Sequence, residues 1–305
     1  MSFSIGLFVY LVFNKTPHKV VVQSPPLLLS FLSVLVLSLK RKKIILNVSD
    51  LWPLAAIELK ILKKKSFSHR VSLFLERFIY QKANLVLCQS NEIITHIQTI
   101  FPKKKCFLYR NFPEHKPTKM DLITQESEPI KIFYAGLFGV AQGVLEMCKK
   151  INLKDLNVEL HLFGDGAEKN QIKTLIAERK DKKIVFYEMM ERNELHKMLK
   201  TFDITIIPLS TRIYGSVPSK IFEYSALGFP VLYFGGGEGE TITELHELGW
   251  VAKVGNYDDL NQKLQAIALM QKDDLHSMKK RIFEQVKTSF NLSVQIANLI
   301  QQGVF

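Results

Sequence analysis

One stretch of this sequence decides the fold: Gly215-Ser216-Val217-Pro218-Ser219-Lys220-Ile221-Phe222-Glu223-Tyr224-Ser225-Ala226-Leu227-Gly228-Phe229-Pro230, which runs directly into the apolar Val231-Leu232-Tyr233-Phe234. Ser216 is a preferred residue for a helix N-cap, and Pro218 suits the first turn of a helix. Gly228 can adopt the left-handed conformation that ends a helix, and the proline after Phe229 prevents the helix from resuming. The pattern predicts a short helix that leads into a buried strand.

Lys220 and Glu223 give this helix its possible chemistry. The start of a helix presents unpaired N–H groups and the positive end of the helix dipole, so Lys220 in the first turn predicts an anion site. Glu223 shares a face with Lys220, and its carboxylate can accept hydrogen bonds from two vicinal hydroxyls. Phosphates at the helix start and a ribose one turn deeper would describe a nucleotide. The spacing alone, however, favours an ordinary helix cap with a Lys220–Glu223 surface pair.

Length and composition place the chain among globular proteins of the cell interior. At 305 residues the chain has room for about two domains, each with its own core. The hydrophobic fraction of 47% argues against disorder. Cys88, Cys106 and Cys148 lie in apolar contexts without metal-ligand spacing. We therefore expect buried thiols, no structural metal and a cytoplasmic location.

The positive charge is concentrated in the first third of the chain. The net charge is +12, and residues 1–115 hold 17 Lys and Arg residues against 5 Asp and Glu residues. The basic residues form clusters at 40–43, 63–65 and 103–105. Such clusters can lie on an anionic membrane at up to ~1 kcal/mol per basic residue. Nucleic acid is the less favoured partner, because no aromatic-interleaved basic strand accompanies them. No apolar run reaches the length of a membrane-spanning helix.

Alternating strands and helices predict two Rossmann-like domains of the α/β class. Residues 1–13 are an apolar helix, and strands at 19–23 and 43–48 flank a helix at 27–39, which makes a βαβ unit with a parallel sheet. In chain order the sequence predicts an incomplete first domain at 1–115, a linker at 116–129, a second domain at 130–290 and a C-terminal helix at 291–305. The first domain is predicted to be incomplete because it begins with a helix.

The pattern Pro-Ser-Lys-x-Phe-Glu-Tyr-x-Ala-x-Gly-x-Pro-Val, starting at Pro218, resembles the donor-site helix of glycosyltransferase family 4. It is most similar to the N-acetyl-L-fucosaminyltransferase branch of bacterial surface-polysaccharide synthesis. In that family two glutamates eight residues apart mark the site, and the second binds the nucleotide ribose. Glu223 matches the second, whereas Gly215 stands at the position of the first. The resemblance implies the GT-B fold, with the first domain truncated, and donor-binding roles for Ser219, Lys220 and Glu223.

Two glycine turns extend the resemblance to the start of the second domain. The run Tyr134 to Gly143 predicts a strand end, a glycine turn and a helix start, where backbone can approach a phosphate closely. It is similar to the family's first β-α loop, which implies donor contacts for Gly139 and Gln142. Gly164 matches the family's second turn and is assigned to the donor site as well. A tight turn before an Asp-capped helix is the alternative interpretation of Gly164.

Asp50 is the candidate catalytic residue. It follows a predicted strand in the first domain, at the end where open α/β sheets bind ligands, and can orient or deprotonate an acceptor hydroxyl. The alternative is that Asp50 caps the helix entered through Pro53. Asp50-Leu51-Trp52-Pro53 resembles a motif of the same transferase branch, and this resemblance favours the catalytic role.

The resemblance implies a retaining transfer of a sugar, expected to be an amino-deoxy sugar, from a UDP-linked donor. The implied acceptor is a saccharide on polyprenyl diphosphate, used in capsule, O-antigen or exopolysaccharide synthesis, with the protein peripheral on the inner face of the membrane. No cofactor or metal is required, and no nucleic-acid partner is expected. The alternatives are a catalytically impaired remnant, one subunit of a split transferase whose first strands are encoded separately, and, less favoured, a UDP-sugar epimerase.

Overall fold

The computed structural model describes residues 2–114, 120 and 129–304, which form two compact units. The first unit contains Met1–Asn111, Ile213–Val217 and Ser293–Phe305, and the second contains Phe112–Arg212 and Pro218–Leu292. Most of the predicted linker 116–129 lies outside the described residues. Both units consist of parallel sheets and helices, as the alternation of the sequence predicts.

The first unit is built on a four-stranded parallel sheet in the order β1-β2-β3-β4. The predicted helices at 1–13 and 27–39 and strands at 19–23 and 43–48 are confirmed, within a residue at each end. In chain order its elements are α1 (Ser2–Phe13), β1 (Lys19–Ser24), α2 (Leu27–Leu39), β2 (Lys43–Val48), α3 (Leu54–Glu58), α4 (Phe67–Lys82), β3 (Leu85–Cys88), α5 (Asn91–Ile100), β4 (Cys106–Leu108) and, at the end of the chain, α13 (Leu292–Gln301).

Both faces of this sheet are apolar because side chains alternate along each strand. One face carries Leu46 and Val86, which pack with buried residues of α2, α4 and α5. The opposite face carries Ile45 and Leu87, and these pack with Leu299 of α13 and with Val304. The last residues of the chain therefore complete a core that the first hundred residues begin. Sequence periodicity predicts the C-terminal helix but not its place on this sheet.

The β1 edge of the sheet and the neighbouring α1 expose apolar surface. β1 pairs with β2 and ends the sheet, and Val21, which lies opposite Ile45 in the register, is 54% exposed. α1 has no charged residue and contacts α2, yet it exposes large apolar side chains. The exposed ones in α1 are Phe3, Ile5, Val9, Tyr10, Val12 and Phe13. A helix that is apolar on all sides is ordinarily a buried one, so this surface is unusual.

The second unit contains a six-stranded parallel sheet in the order β10-β9-β8-β5-β6-β7. Its elements are β5 (Ile130–Leu137), α6 (Val144–Lys150), β6 (Val158–Asp165), α7 (Lys169–Glu178), β7 (Ile184–Tyr187), α8 (Arg192–Leu199), β8 (Ile204–Pro208), α9 (Lys220–Ala226), β9 (Val231–Phe234), α10 (Glu238–Leu245), β10 (Gly249–Val251), α11 (Tyr257–Ala268) and α12 (Lys272–Ser289). The order reverses between β5 and β8, as in a Rossmann fold. Open α/β sheets bind ligands outside the carboxyl ends of the strands at such a switch point.

Helix α9, which carries Lys220 and Glu223, begins later than predicted. α9 starts at Lys220, and Ser219 occupies the N-cap position in a helical conformation without a side-chain cap. The prediction that Ser216 caps this helix is therefore wrong, because Ser216 belongs to the segment Ile213–Val217 of the first unit. The predicted end is confirmed, since Gly228 has φ +94° directly after the C-cap Leu227. β9 follows and is fully buried, as expected.

A buried ionic cluster ties α12 to the start of β8. Lys279 is fully buried, and its Nζ donates to the Asp203 carboxylate at 3.0 Å and to the Phe202 carbonyl at 2.9 Å. Lys272 donates to the other oxygen of Asp203 at 2.7 Å. Burial raises the pKa of Asp203, but the two lysines outweigh this effect and hold that pKa below its ordinary value. The carboxylate is therefore ionised, and the cluster fixes the helix against the sheet.

Candidate functional site

Two loops meet at the switch point of the second unit. The loop after β5 reaches Gly143, whose φ of +65° suits glycine, and a side chain added there would lie 3.0 Å from Cα of Ser210. Ser210, in the loop after β8, donates its N–H to the Ala141 carbonyl at 3.0 Å. The loops after β5 and β8 therefore lie against one another at the edge where the fold predicts a ligand.

Gly164 allows the turn after β6 to pack closely on the end of β5. Its φ is +149°, and a Cβ atom placed there would lie 1.8 Å from the Gly136 carbonyl oxygen. No side chain fits that space. The Asp-capped-helix alternative is wrong, because α7 has Glu168 at its N-cap position and no side-chain cap. The structure gives Gly164 a packing role beside the switch point, and its contact with a donor stays a prediction.

Lys220 extends from α9 to the end of β5. Its Cε lies 3.0 Å from the position that a Cβ on Gly136 would occupy, so glycine at 136 makes room for the lysine. Its Nζ lies 3.4 Å from the Tyr224 hydroxyl and 5.3 Å from the centre of that ring. Burial lowers the pKa of Lys220, and Glu223 opposes this change while Arg192 adds to it. A partly desolvated ammonium group at this position is suited to hold an anion.

Glu223 stands one turn along the same helix and is held by α8. Its Oε1 lies 2.8 Å from the Arg192 guanidinium and 3.5 Å from Nε2 of His196. The imidazole of His196, together with Arg192 and Lys220, outweighs burial and lowers the pKa of the Glu223 carboxyl. Glu223 is therefore an ionised, acceptor-only carboxylate. The predicted proximity of Lys220 and Glu223 is present, but the strongest ion pair of Glu223 is with a residue that the sequence did not indicate.

The other predicted donor residues lie on the same two loops and helix. The Gln142 side-chain oxygen lies 2.9 Å from the Cβ position of Gly139, and the Gln142 N–H donates to the Gly139 carbonyl at 3.0 Å. The Ser219 carbonyl accepts hydrogen bonds from the N–H groups of Phe222 and Glu223, both at 3.1 Å. Backbone groups of these residues thus shape the turn and the helix start. Their contacts with a donor stay predictions.

Asp50 lies in the first unit, directly after β2. The prediction that it caps the following helix is wrong, since α3 has Pro53 at its N-cap position and no side-chain cap. The Asp50 carboxyl instead accepts a hydrogen bond from Ser216. Burial raises the pKa of Asp50, and this hydrogen bond offsets the rise only in part. A carboxyl of raised pKa beside a strand's carboxyl end is suited to general-base chemistry, which leaves its catalytic role as a prediction.

Gly215, which stands where the family's first glutamate is expected, is enclosed by the first unit. Its N–H donates to Glu92 at 2.6 Å, and its carbonyl accepts from the Ser90 hydroxyl at 2.8 Å. Its φ is +85°, and a Cβ at this position would lie 3.0 Å from side-chain atoms of both Ile93 and Leu51. A glutamate would therefore be strained here, so the substitution by glycine is built into the local packing.

The sequence did not indicate Arg192 or His196 as site residues, and it indicated Gly136 only as part of the glycine run Tyr134 to Gly143. Arg192 and His196 are four residues apart and so share one face of α8, but nothing local indicates which element that face meets. Only the packing of α8 beside α9 places them at Glu223. Within the described parts of the chain, no three His, Cys, Asp or Glu residues are grouped to hold a metal ion. None of the described helices is long and apolar enough to cross a membrane.

A family comparison accounts for this arrangement. The model of "Glycosyl transferases group 1" matches residues 122–285, more than half of the chain. The chain belongs to this family. The matched residues include the glycine turns, the buried β8 and β9, and the helix that carries Lys220 and Glu223.

Individual relatives agree with the family and show the fold. WcaL of Escherichia coli (strain K12), named as a colanic acid biosynthesis glycosyltransferase, is 24% identical over 164 residues, which are 52% of this chain and 40% of WcaL. The crystal structure of TarM matches 97% of this chain and 57% of its own at 15% identity, with a TM-score of 0.71. Sucrose-phosphate synthase from Thermosynechococcus elongatus matches 98% of this chain and 77% of its own at 15% identity, with a TM-score of 0.75.

A third structure, Anabaena HepE in complex with UDP, matches 99% of this chain and 81% of its own at 12% identity, with a TM-score of 0.70. These structures confirm the predicted class of two Rossmann-like α/β units in a GT-B glycosyltransferase fold. The chain spans only 40% of the curated relative and 57% of TarM.

Proposed function

We propose that the chain is a retaining glycosyltransferase that takes a sugar, an amino-deoxy sugar in our assignment, from a UDP-linked donor. The observation that carries the proposal is the meeting of the β5 and β8 loops at a Rossmann switch point, with Lys220 and Glu223 beside it. Membership of the glycosyl transferases group 1 family supports it. A TarM mutant from S. aureus and Anabaena HepE have both been crystallised in complex with UDP, which supports the same nucleotide here.

In this proposal each donor residue has a chemical task. Lys220 binds the diphosphate as a cation. The backbone N–H groups of Gly139 and Ser219, together with the side-chain amide of Gln142, complete the anion site. Gly164 keeps the floor of the site free of side chains. The ionised Glu223 accepts hydrogen bonds from the two ribose hydroxyls, which donate. No step in this assignment requires a metal or another cofactor.

The acceptor is proposed to be a saccharide linked to polyprenyl diphosphate, within capsule, O-antigen or exopolysaccharide synthesis. The name of WcaL places that relative in colanic acid biosynthesis, which supports a polysaccharide pathway. Asp50 is proposed to orient the attacking hydroxyl of the acceptor and to accept its proton, because burial raises the pKa of this carboxyl toward neutrality. A UDP-sugar epimerase is not favoured, because the family match is to transferases.

The proposed site of action is the inner face of a membrane with anionic lipids. On α4 the apolar side chains of Phe67, Val71 and Phe74 are exposed, and the basic cluster at 63–65 directly precedes them. Apolar side chains next to lysines suit the interface of an anionic bilayer. Lys40 and Lys42 of the first cluster also donate to the carbonyls of Asn14 and Thr16, so part of that cluster has a structural task.

A vesicle-flotation experiment tests the membrane proposal. We expect the protein to bind vesicles that contain phosphatidylglycerol. It should be released as the salt concentration rises, because salt screens the attraction between the lysines and the anionic lipids. Phe74→Asp should weaken binding at every salt concentration. Equal binding to neutral vesicles would contradict the role of the basic clusters.

A second candidate state, one subunit of a split transferase, is favoured by the β1 edge. The unpaired side of Lys19–Ser24 offers backbone hydrogen-bonding groups, and Val21 of β1 and several apolar side chains of α1 are exposed. A separately encoded polypeptide that adds a parallel strand would cover both. The basic residues Lys15 and Lys19 next to this edge suit an acidic partner. Co-expression with neighbouring reading frames, followed by purification of this chain, tests whether such a subunit exists.

Measurements of UDP binding and of sugar transfer distinguish an active transferase, one subunit of a split transferase and an impaired remnant. Calorimetry with UDP and a panel of UDP-sugars should show binding to the purified chain. Glu223→Ala should weaken the binding free energy by about 1.5–3 kcal/mol, the range for a hydrogen bond to a charged group. Transfer to a lipid-linked acceptor should then appear with the chain alone or only with its partner. Binding without transfer under both conditions would indicate an impaired remnant, consistent with Gly215. Unchanged UDP affinity in Glu223→Ala would refute the donor site.

A further inference from the structure

Glu223 receives the contacts of Arg192 and His196 on a single oxygen. Arg192 and His196 lie at 2.8 Å and 3.5 Å from Oε1, and no described residue forms an ion pair with Oε2. The Glu223 side chain is 22% exposed, so the carboxylate is neither sealed in the core nor free on the surface. One oxygen is thus tethered to α8, while the other is left to face a ligand.

The α8 helix is itself fixed, so it can act as the tether. Leu195, Met198 and Leu199 pack into an aromatic cluster with Tyr224, the residue next to Glu223, and with Phe133 and Phe229. This packing sets the distance between the two helices without any help from the ion pair. The polar face of α8 carries Arg192 and His196, four residues apart, and this face meets Glu223.

The contacts of Glu223 with Arg192 and His196 contribute little to the folding stability of the protein, so they indicate another purpose. Arg192 is 63% exposed, and ion pairs so open to water add little to folding stability. Nε2 of His196 is buried from solvent but has no hydrogen-bond partner within ordinary distance among the described residues. At 3.5 Å it is one small movement from a full hydrogen bond with Glu223. An unsatisfied donor or acceptor of this kind is costly unless another state satisfies it.

We infer that Arg192 and His196 are positioning residues: by holding Oε1 of Glu223 they aim Oε2 at the vicinal hydroxyls of the nucleoside, and so determine discrimination between ribonucleotides and 2′-deoxyribonucleotides. The inference rests on the proposed binding of a nucleotide ribose by Glu223. In the bound state the carboxylate would close on the His196 nitrogen. Neither residue needs to contact the nucleotide.

The test compares UDP with 2′-deoxy-UDP, which lacks one of the two hydroxyls, by calorimetry on the full chain. We expect the parent to prefer UDP, and Arg192→Met and His196→Ala each to lower UDP affinity about three- to tenfold with little change for 2′-deoxy-UDP. His196→Gln, which keeps an N–H donor, should restore most of the preference. Lys197→Met removes one charge from the same helix away from Glu223 and should behave as the parent, because Lys197 is exposed and makes no ion pair with Glu223.

A double-mutant cycle decides whether the residues act through Glu223. In a Glu223→Ala background, Arg192→Met and His196→Ala should have no further effect on either nucleotide. Equal losses for UDP and 2′-deoxy-UDP would overturn the inference, since they would indicate that Arg192 binds the phosphates directly. An unchanged preference in both variants would overturn it as well. If Glu223→Ala itself keeps the full preference for UDP, the proposed ribose site fails, and this result differs from a failure of the tether alone.

Discussion

The lowered pKa of Lys220 predicts that nucleotide binding weakens as pH rises. In the free protein, burial shifts the pKa of Lys220 below its ordinary value of 10.5. A bound diphosphate stabilises the ammonium form, so the complex holds the proton more tightly than the free protein does. UDP affinity should therefore be complete below the lowered pKa and decline as pH rises through it. The decline begins at a pH lower than a solvent-exposed lysine would show.

The size of the change in UDP affinity follows from the loss of one proton, and with it one positive charge, from Lys220. Because a single group titrates, the dissociation constant can rise by at most about tenfold per pH unit. The total loss should approach that of a hydrogen bond to a charged group, about 1.5–3 kcal/mol, which is about 10- to 150-fold in affinity. Lys220→Met should bind UDP this weakly at every pH. Lys220→Arg keeps its charge throughout, because the guanidinium does not lose its proton in this range.

The assay is calorimetric titration of UDP into the parent and Lys220→Arg from about pH 7 to about pH 10. Ionisation of UDP itself affects both proteins equally, so it cancels in the ratio of their affinities. Tyr134 and Tyr224 stay neutral over this range, because burial raises the pKa of both hydroxyls. A ratio that stays constant up to the highest pH would refute the reasoning, since it would show that Lys220 either keeps its proton or does not bind the diphosphate.

Three further predictions concern stability and catalysis. Gly164→Ala should unfold the second unit or leave it insoluble, because the new Cβ would lie 1.8 Å from a backbone oxygen. Gly139→Ala is the control and should fold, because its Cβ would meet only the end of a flexible side chain. Circular dichroism distinguishes the two variants. Asp203→Asn leaves Lys279 buried without a carboxylate and should cost about 3–5 kcal/mol in urea unfolding, an estimate that a loss below about 1 kcal/mol would contradict. Asp50→Asn should abolish sugar transfer while leaving UDP affinity unchanged, and a parent-like transfer rate would exclude Asp50 as the base.

The strands and most of the helices could be predicted from sequence because parallel strands are near-continuous apolar runs. The segments at Val20 and at Ile44 are examples, and each lies within a residue of its predicted place. The N-cap of α9 was predicted three residues too early, at Ser216 instead of Ser219. The cap residue and the proline there fit a helix start, but a hydrogen bond with Asp50 commits Ser216 to the other unit.

The candidate site was only partly predictable, because its parts interact across elements. Lys220 and Glu223 are close in sequence and share a helix face, so their spacing indicated a site. The pairing of Glu223 with Arg192 joins residues 31 positions apart in the sequence, and no local pattern signals it. Gly136 was predicted only as part of the glycine run and was given no role of its own, since its lack of a side chain matters only once Lys220 and Gly164 pack on it. Distances of this kind arise from tertiary packing alone.

The contribution of Leu299 and Val304 to the first sheet has a consequence for synthesis on the ribosome. The chain emerges from its amino end, so β1 to β4 leave the ribosome long before the residues that cover Ile45 and Leu87. Until those residues have emerged, that face of the sheet remains open to water and to chaperones. Folding of the first unit is therefore completed after that of the second can begin, because the second unit ends at Leu292, before Leu299 and Val304 are synthesised.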